Sequence, residues 1–338
     1  MIELRPVVFV IGILLSVLAV AMTIPAIVDI SVGHPDWQVF SVAAFVTLFV
    51  GVSMMLTTRA SLKTFSVRQA FVMTNLAWFV IALFGALPFQ FSELELDLAD
   101  AFFESMSGVT TTGATVIVGL DFAPPGILLW RAILQWLGGV GIIVMAVAIL
   151  PMLQVGGMQM FRVEAFDTDK VLPRAAQIAG GIAIIYVFLT AVAAMMLWSL
   201  GMSGFDAVAH AMTSIATGGF STYDASVGHF DNPAIDWAMS AIMVLGSIPF
   251  VLYLRVVRGD LQPVFADTQV RWFLVILAAS ILLTALWLYR GDLMGPLDAL
   301  RYSTFNIISV MTGSGFATAD YGRWGSFVVS IMFVLMFV

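Results

Sequence analysis

The sequence predicts an all-α polytopic membrane protein assembled from repeated helix–short loop–helix units, and three observations predict it. Hydrophobic residues make up 61% of the 338 and charged ones only 10%. No dispersed soluble domain sustains that balance, so the bilayer must be the solvent for most of the chain. Apolar stretches long enough to cross a hydrocarbon core recur along the whole length, and a Thr/Gly-rich motif returns three times, each time after one such stretch and before the next.

A crossing helix needs about 20 apolar residues. Seven stretches meet this, at 7–30, 37–57, 70–91, 126–150, 175–200, 234–254 and 270–289. The first follows only Glu3 and Arg5, is too long for the apolar part of a signal peptide, and has no small-residue cleavage pattern behind it, so it reads as a retained first helix. An eighth begins at Gly325 and is still apolar at Val338, so the chain reads as truncated at its C-terminus. Trp37, Trp78, Trp130, Trp198, Trp237 and Trp324 fall near stretch ends, where interfacial anchors belong. The methionines read as core filling. The absence of cysteine excludes a disulfide, a thiolate metal site and a thiol nucleophile.

Basic residues set the orientation. If the segments between paired helices enter and leave from outside, ten of the fourteen Lys and Arg fall on one side: Arg5, Arg59, Lys63, Arg68, Arg162, Lys170, Arg174, Arg255, Arg258 and Arg271. That side, with the N-terminus, is then cytoplasmic. The opposite side collects Asp36, Glu93, Glu95, Asp97, Asp100, Asp121, Asp206, Asp224, Asp231 and Asp236. These acids read either as ordinary solvated loops or as a mouth whose negative field concentrates cations.

The internal repeat organises the rest. After the third, fifth and seventh stretches comes an acid, a short helix-length segment, a Thr/Gly cluster and another stretch. The first copy runs from Asp100 to Gly113 and the second from Asp206 to Gly219, thirteen residues in each; the third runs from Asp298 to Gly315 and is longer by a few. The glycines recur at spacings of 106 and 96. This divides the chain into a leading helix pair, 1–66, and pore repeats at 67–160, 161–268 and 269–338, the last incomplete. The segments 101–111, 207–216 and 300–311 are too short to cross, since three turns cover only about 15–18 Å. The Thr/Gly runs after them are poor helix formers. Irregular backbone at membrane depth survives only where it lines water or is buried in protein.

That backbone is suited to a monovalent cation. Glycine opens φ/ψ values closed to other residues, so successive carbonyls can face one axis and replace a hydration shell. The expected lining is Thr111, Thr112 and Gly113, then Thr217, Gly218 and Gly219, then Gly313, Ser314 and Gly315. The ion-holding oxygens are expected on the backbones of Thr111, Thr112, Thr217, Gly218, Thr312 and Gly313. No carboxylate lies within the runs, which argues against a divalent-selective ring. The competing explanation, that the glycines only let helices pack closely, weakens when three copies align.

The motifs Thr-Thr-Thr-Gly113-Ala-Thr, Ala-Thr-Gly-Gly219-Phe-Ser-Thr and Thr-Gly-Ser-Gly315-Phe-Ala-Thr resemble the filter loops of the Trk/Ktr/HKT superfamily of potassium transporters, and within it the bacterial TrkH/TrkG group. The helix from Trp130 to Pro151 and the segment Gly246-Ser-Ile-Pro-Phe-Val-Leu-Tyr253 fit the same resemblance. It implies a potassium-channel type of fold with four repeats around one pore, potassium as the transported ion, a homodimer in the inner membrane, and a cytoplasmic TrkA-like nucleotide-binding subunit that gates it. The chain departs from that pattern. A fourth repeat, with the basic residue that guards the pore, is missing, as is the gating loop that interrupts the third repeat's last helix in the family, so this stretch alone should not encircle an ion. Ala114 also stands where the other loops have Phe220 and Phe316.

Glu104 and Asn306 lie nine residues before their glycines, with His210 at the equivalent place in the second copy. Such polar groups are expected to hold a filter in shape. Arg131 either pairs with Glu104 or Asp100 to brace the pore helix or snorkels to the interface. Gly138-Gly-Val-Gly141 looks like a phosphate loop, but inside an apolar stretch it reads as a close helix contact. With three histidines and only isolated Asp/His pairs, no metal or hydrolase centre and no enzyme is expected. No bound cofactor and no nucleic-acid partner are expected either. The function expected is passive, gated potassium uptake. The alternatives are symport with sodium or protons, which calls for intramembrane carboxylates that the spans largely lack, and a non-conducting truncated paralogue.

Overall fold

The computed structural model describes residues 3–58, 66–148, 171–260, 262 and 266–337. Arg59, Lys63, Arg162 and Lys170, used above for orientation, lie outside these. The described residues form helices and no strand, and group into two compact units. The first holds residues 1–110 and 114–176, the second 111–113 and 177–338.

In the first unit, α1 (Arg5–Val32) and α2 (Trp37–Thr57) make the leading hairpin. Gly33 ends α1 in the left-handed region at φ 75°, where a glycine cap costs no Cβ clash. The two helices cross on reciprocal glycines: a Cβ at Gly12 would sit 2.7 Å from the Gly51 carbonyl, and one at Gly51 2.8 Å from that of Gly12. Small residues are what allow such an approach in a membrane. Helix α3 (Val67–Gly85) opens with a capping box between Ser66 and Gln69, and α4 (Leu87–Phe91) continues it. Then follow α5 (Leu98–Val109) and α6 (Pro125–Ala148). Asp29 of α1 reaches the start of α6, accepting from Gly126 N–H at 2.7 Å. Trp130 is wholly buried and donates to the Gly85 carbonyl at 2.9 Å. It is therefore a core residue rather than an interfacial anchor. Trp324 in the second unit is also buried, while Trp37, Trp198 and Trp237 are exposed as anchors should be.

The second unit contains α7 (Val171–Ser199) from Gln177 onward, α8 (Gly204–Ile215), α9 (Pro233–Ser247), α10 (Phe250–Val257), α11 (Thr268–Arg290), α12 (Pro296–Met311) and α13 (Ser326–Leu335). Six described helices are long and apolar enough to cross a membrane. The span expected at 234–254 is not one of them. It is broken into α9 and α10, which meet at 92°. The cause is local: Pro249 forces its predecessor out of the helical region, and Ile248 sits at ψ 135°. Phe45, Phe49, Ile184 and Trp272 are exposed on these helices, as lipid-facing side chains are.

Candidate functional site

Each Thr/Gly run follows a short helix, α5, α8 or α12. The repeated acid has a structural explanation, because Asp100, Asp206 and Asp298 each lie in the first turn of their helix. There an acid complements the helix dipole. Asp97 caps α5 and Ser203 caps α8, each accepting from the acid's own N–H. Twelve residues give α5 and α8 a length of about 18 Å each, too short to cross.

Beyond the helix ends, the three runs adopt one backbone pattern. Thr111 and Gly113 have φ of 55° and 79°, Thr217 and Gly219 52° and 78°, Gly313 and Gly315 72° and 79°. The residue between each pair, Thr112, Gly218 or Ser314, is not left-handed. In a strand successive residues face opposite ways. Alternating handedness rotates every second peptide plane, so that neighbouring carbonyls can share one side. The glycines were legible as candidates, but the threonines at Thr111 and Thr217 were not expected there. A β-branched residue at positive φ is an outlier, and such strain costs of order 1–3 kcal/mol and collects where function over-determines the backbone.

In the second and third runs the backbone donors turn back on the preceding helix. Gly218 N–H donates to the Thr213 carbonyl at 2.8 Å, Gly313 N–H to Val310 at 3.1 Å and Gly315 N–H to Ser309 at 3.2 Å. A hydroxyl six residues before the glycine adds a second tie. Ser107 donates to the Ala114 carbonyl and Ser309 to that of Phe316, both at 2.6 Å. Sequence reasoning missed Ser107 and Ser309, although a hydroxyl residue stands at that position in every copy, Thr213 included.

Behind the first run, Glu104 is wholly buried and accepts from Thr115 Oγ1 at 2.9 Å and Val116 N–H at 3.0 Å. Arg131 of α6 pairs with Glu104 at 2.8 Å and is itself buried, so it braces α5 and does not snorkel. Behind the third, Asn306 Nδ2 donates to Thr318 Oγ1 at 2.9 Å and its Oδ1 accepts from Thr318 N–H at 3.3 Å. The run centred on Gly219 backs directly on the carbonyl of Ser314, where a Cβ would overlap. Phe220 and Phe316 are buried, while Ala114 at their equivalent position is exposed.

Several acids assigned to an outer mouth have partners. The Asp206 carboxylate accepts from Ser203, Thr222 and Tyr223. Asp236 pairs with Arg301 of α12 at 2.6 Å, and Asp36 accepts from Glu93 N–H at 3.3 Å. Among the described residues no cluster of three His, Cys, Asp or Glu could hold a metal ion.

A family model described as TrkH, cation transport protein, matches residues 36–338. The chain belongs to the TrkH family. Over nearly their whole common length, the Trk system potassium uptake protein TrkI of Halomonas elongata is 42% identical, covering 98% of this chain and 68% of that protein. TrkH of Escherichia coli K12 is 37% identical over 99% of this chain and 70% of its own length, and TrkG of the same organism 31% over 96% and 68%. The crystal structure of the potassium transporter TrkH from Vibrio parahaemolyticus superimposes with a TM-score of 0.90 at 35% identity, covering 99% of this chain and 70% of that one. TrkH-family membership confirms the all-helical membrane fold with its helix–pore loop–helix repeats, and places the chain among transport proteins rather than enzymes.

Proposed function

We propose that this TrkH-family chain takes up potassium across the bacterial inner membrane through a filter lined by backbone carbonyls, with its N-terminus in the cytoplasm. The observation that carries the reading is the shared pattern of alternating left-handed residues at 111/113, 217/219 and 313/315. Inward-turned N–H groups at Gly218, Gly313 and Gly315 accompany it. A loop whose donors are satisfied from behind presents its remaining acceptors in front, and neutral oxygens suit a weakly hydrated monovalent cation. The relatives named as potassium uptake proteins agree with that choice of ion. In this reading Thr111, Thr112, Thr217, Gly218, Thr312 and Gly313 hold the ion, while Glu104, Arg131 and Asn306 keep the loops in shape. A homodimer and a cytoplasmic TrkA-like nucleotide-binding subunit that gates the path complete the proposal. Rubidium uptake into bacteria lacking their own potassium uptake systems tests it. Expression of the full-length protein should restore uptake that sodium competes with poorly, and Gly219→Ser should abolish the discrimination. An ion preference unchanged by Gly219→Ser would sink the filter assignment.

A further inference from the structure

His210 occupies the place that Glu104 and Asn306 hold in the other repeats, and it is wholly buried. Its Nδ1 lies 2.9 Å from the Asp206 carbonyl, which has no proton to give, so Nδ1 carries the hydrogen. In the neutral ring Nε2 is then an acceptor, and it lies 2.9 Å from Oγ of Ser221, two residues past Gly219. The Ser221 oxygen also accepts Tyr223 N–H at 3.2 Å. The imidazole also reaches the third loop. It stacks on Phe316 with centroids 5.9 Å apart and planes at 30°, while Phe230 meets its edge at 5.4 Å. Phe316 directly follows Gly315 and is itself buried. One side chain therefore touches the short helix, the run after Gly219 and the run after Gly315.

We propose that His210 is a positioning residue for ion discrimination, bracing the second loop by its hydrogen bond to Ser221 and the third by its stack on Phe316. This rests on reading the loops as a filter. Asn306 shows the same design in amide form: its Nδ2 donates to the carbonyl four residues back, Tyr302, at 2.8 Å, as His210 Nδ1 does to Asp206. A mere space-filling ring would tolerate loss of the Ser221 hydroxyl, whereas a brace would not.

The experiment is rubidium uptake against sodium competition in proteoliposomes carrying the full-length protein. Its variants are His210→Leu, Ser221→Ala, the double variant, His210→Gln, and Gly219→Ser as control. His210→Leu and Ser221→Ala should each lower the preference for rubidium about tenfold, the worth of one buried hydrogen bond. The double variant should be no worse than His210→Leu, since both remove the same contact. In His210→Gln a terminal amide oxygen takes the place of Nε2 as acceptor, and the preference should return to within about twofold of wild type. Should His210→Leu fail to assemble, Ser221→Ala still decides: a wild-type preference there overturns the proposal, and so does an additive loss in the double variant. Gly219→Ser losing discrimination while the His210 and Ser221 variants keep it defeats this inference alone. Gly219→Ser keeping it defeats the filter reading beneath.

Discussion

Gly219 and Gly315 have nearly the same backbone, at φ 78° and 79°, but not the same surroundings. A Cβ at Gly315 meets nothing within 4 Å, whereas one at Gly219 would overlap the Ser314 carbonyl. Gly315→Ala should therefore cost only the left-handed penalty, about 1–2 kcal/mol. Gly219→Ala should cost more and displace the third loop as well. Thermal unfolding midpoints in detergent should rank the two in that order, and equal midpoints would refute the contact. Arg131 and Glu104 are a buried pair. Arg131→Met strands the Glu104 carboxylate and should cost about 3–5 kcal/mol; adding Glu104→Gln should recover part of it, measured by the same midpoints. At this scale the sequence showed which residues mattered better than how they acted. Gly113, Gly219 and Gly315 stand out by composition alone. The left-handed Thr111 and Thr217 do not, because nothing in local propensity announces a strained threonine that the surrounding fold enforces.

Helix contacts divide the Gly138-Gly-Val-Gly141 cluster. A Cβ at Gly138 would overlap the Val109 carbonyl at the end of α5, while one at Gly141 meets only Trp78, at 3.8 Å. Gly138→Ala should then shift α5 and destabilise by about 1–3 kcal/mol, as overpacking does. Gly141→Ala should be neutral or slightly stabilising. Comparing their unfolding midpoints checks both. The same contact recurs in the second repeat, where a Cβ at Gly246 would sit 3.0 Å from the Ser214 carbonyl. At the turn of the leading hairpin, burial raises the Asp36 carboxyl above its ordinary range, partly offset by the Glu93 N–H and His34. A raised carboxyl contributes stability that is whole at acid pH and is lost as pH rises through the folded value. The wild-type midpoint should fall more than that of Asp36→Asn between mildly acid and neutral pH, and parallel curves would show that Asp36 does not titrate there. The spans themselves were legible because apolar length is a strong signal. The break at Ile248-Pro249 was equally visible in the residues, but unbroken hydrophobicity across it outweighed the proline.

For the whole molecule, orientation rests on charge. The expected topology puts ten of the fourteen basic residues on one side, and four of these, Arg59, Lys63, Arg162 and Lys170, lie outside the described residues. The helices that are described supply the rest of the parity. If α1 runs outward, α2 returns, α3 runs outward and α6 returns; α7 runs outward, α9 and α10 return together, and α11 runs outward. The break between α9 and α10 does not alter that count so long as the bent pair makes one crossing. Asp121 and Asp292 then face outside and Asp260 faces the cytoplasm, and all three are exposed. The chain has no cysteine, so one introduced thiol gives an unambiguous label. In intact cells a membrane-impermeant maleimide should modify Asp121→Cys and Asp292→Cys, and reach Asp260→Cys only after permeabilisation. The reverse pattern would invert the topology. Labelling of Asp260→Cys together with Asp292→Cys in intact cells would instead remove the crossing assigned to α11.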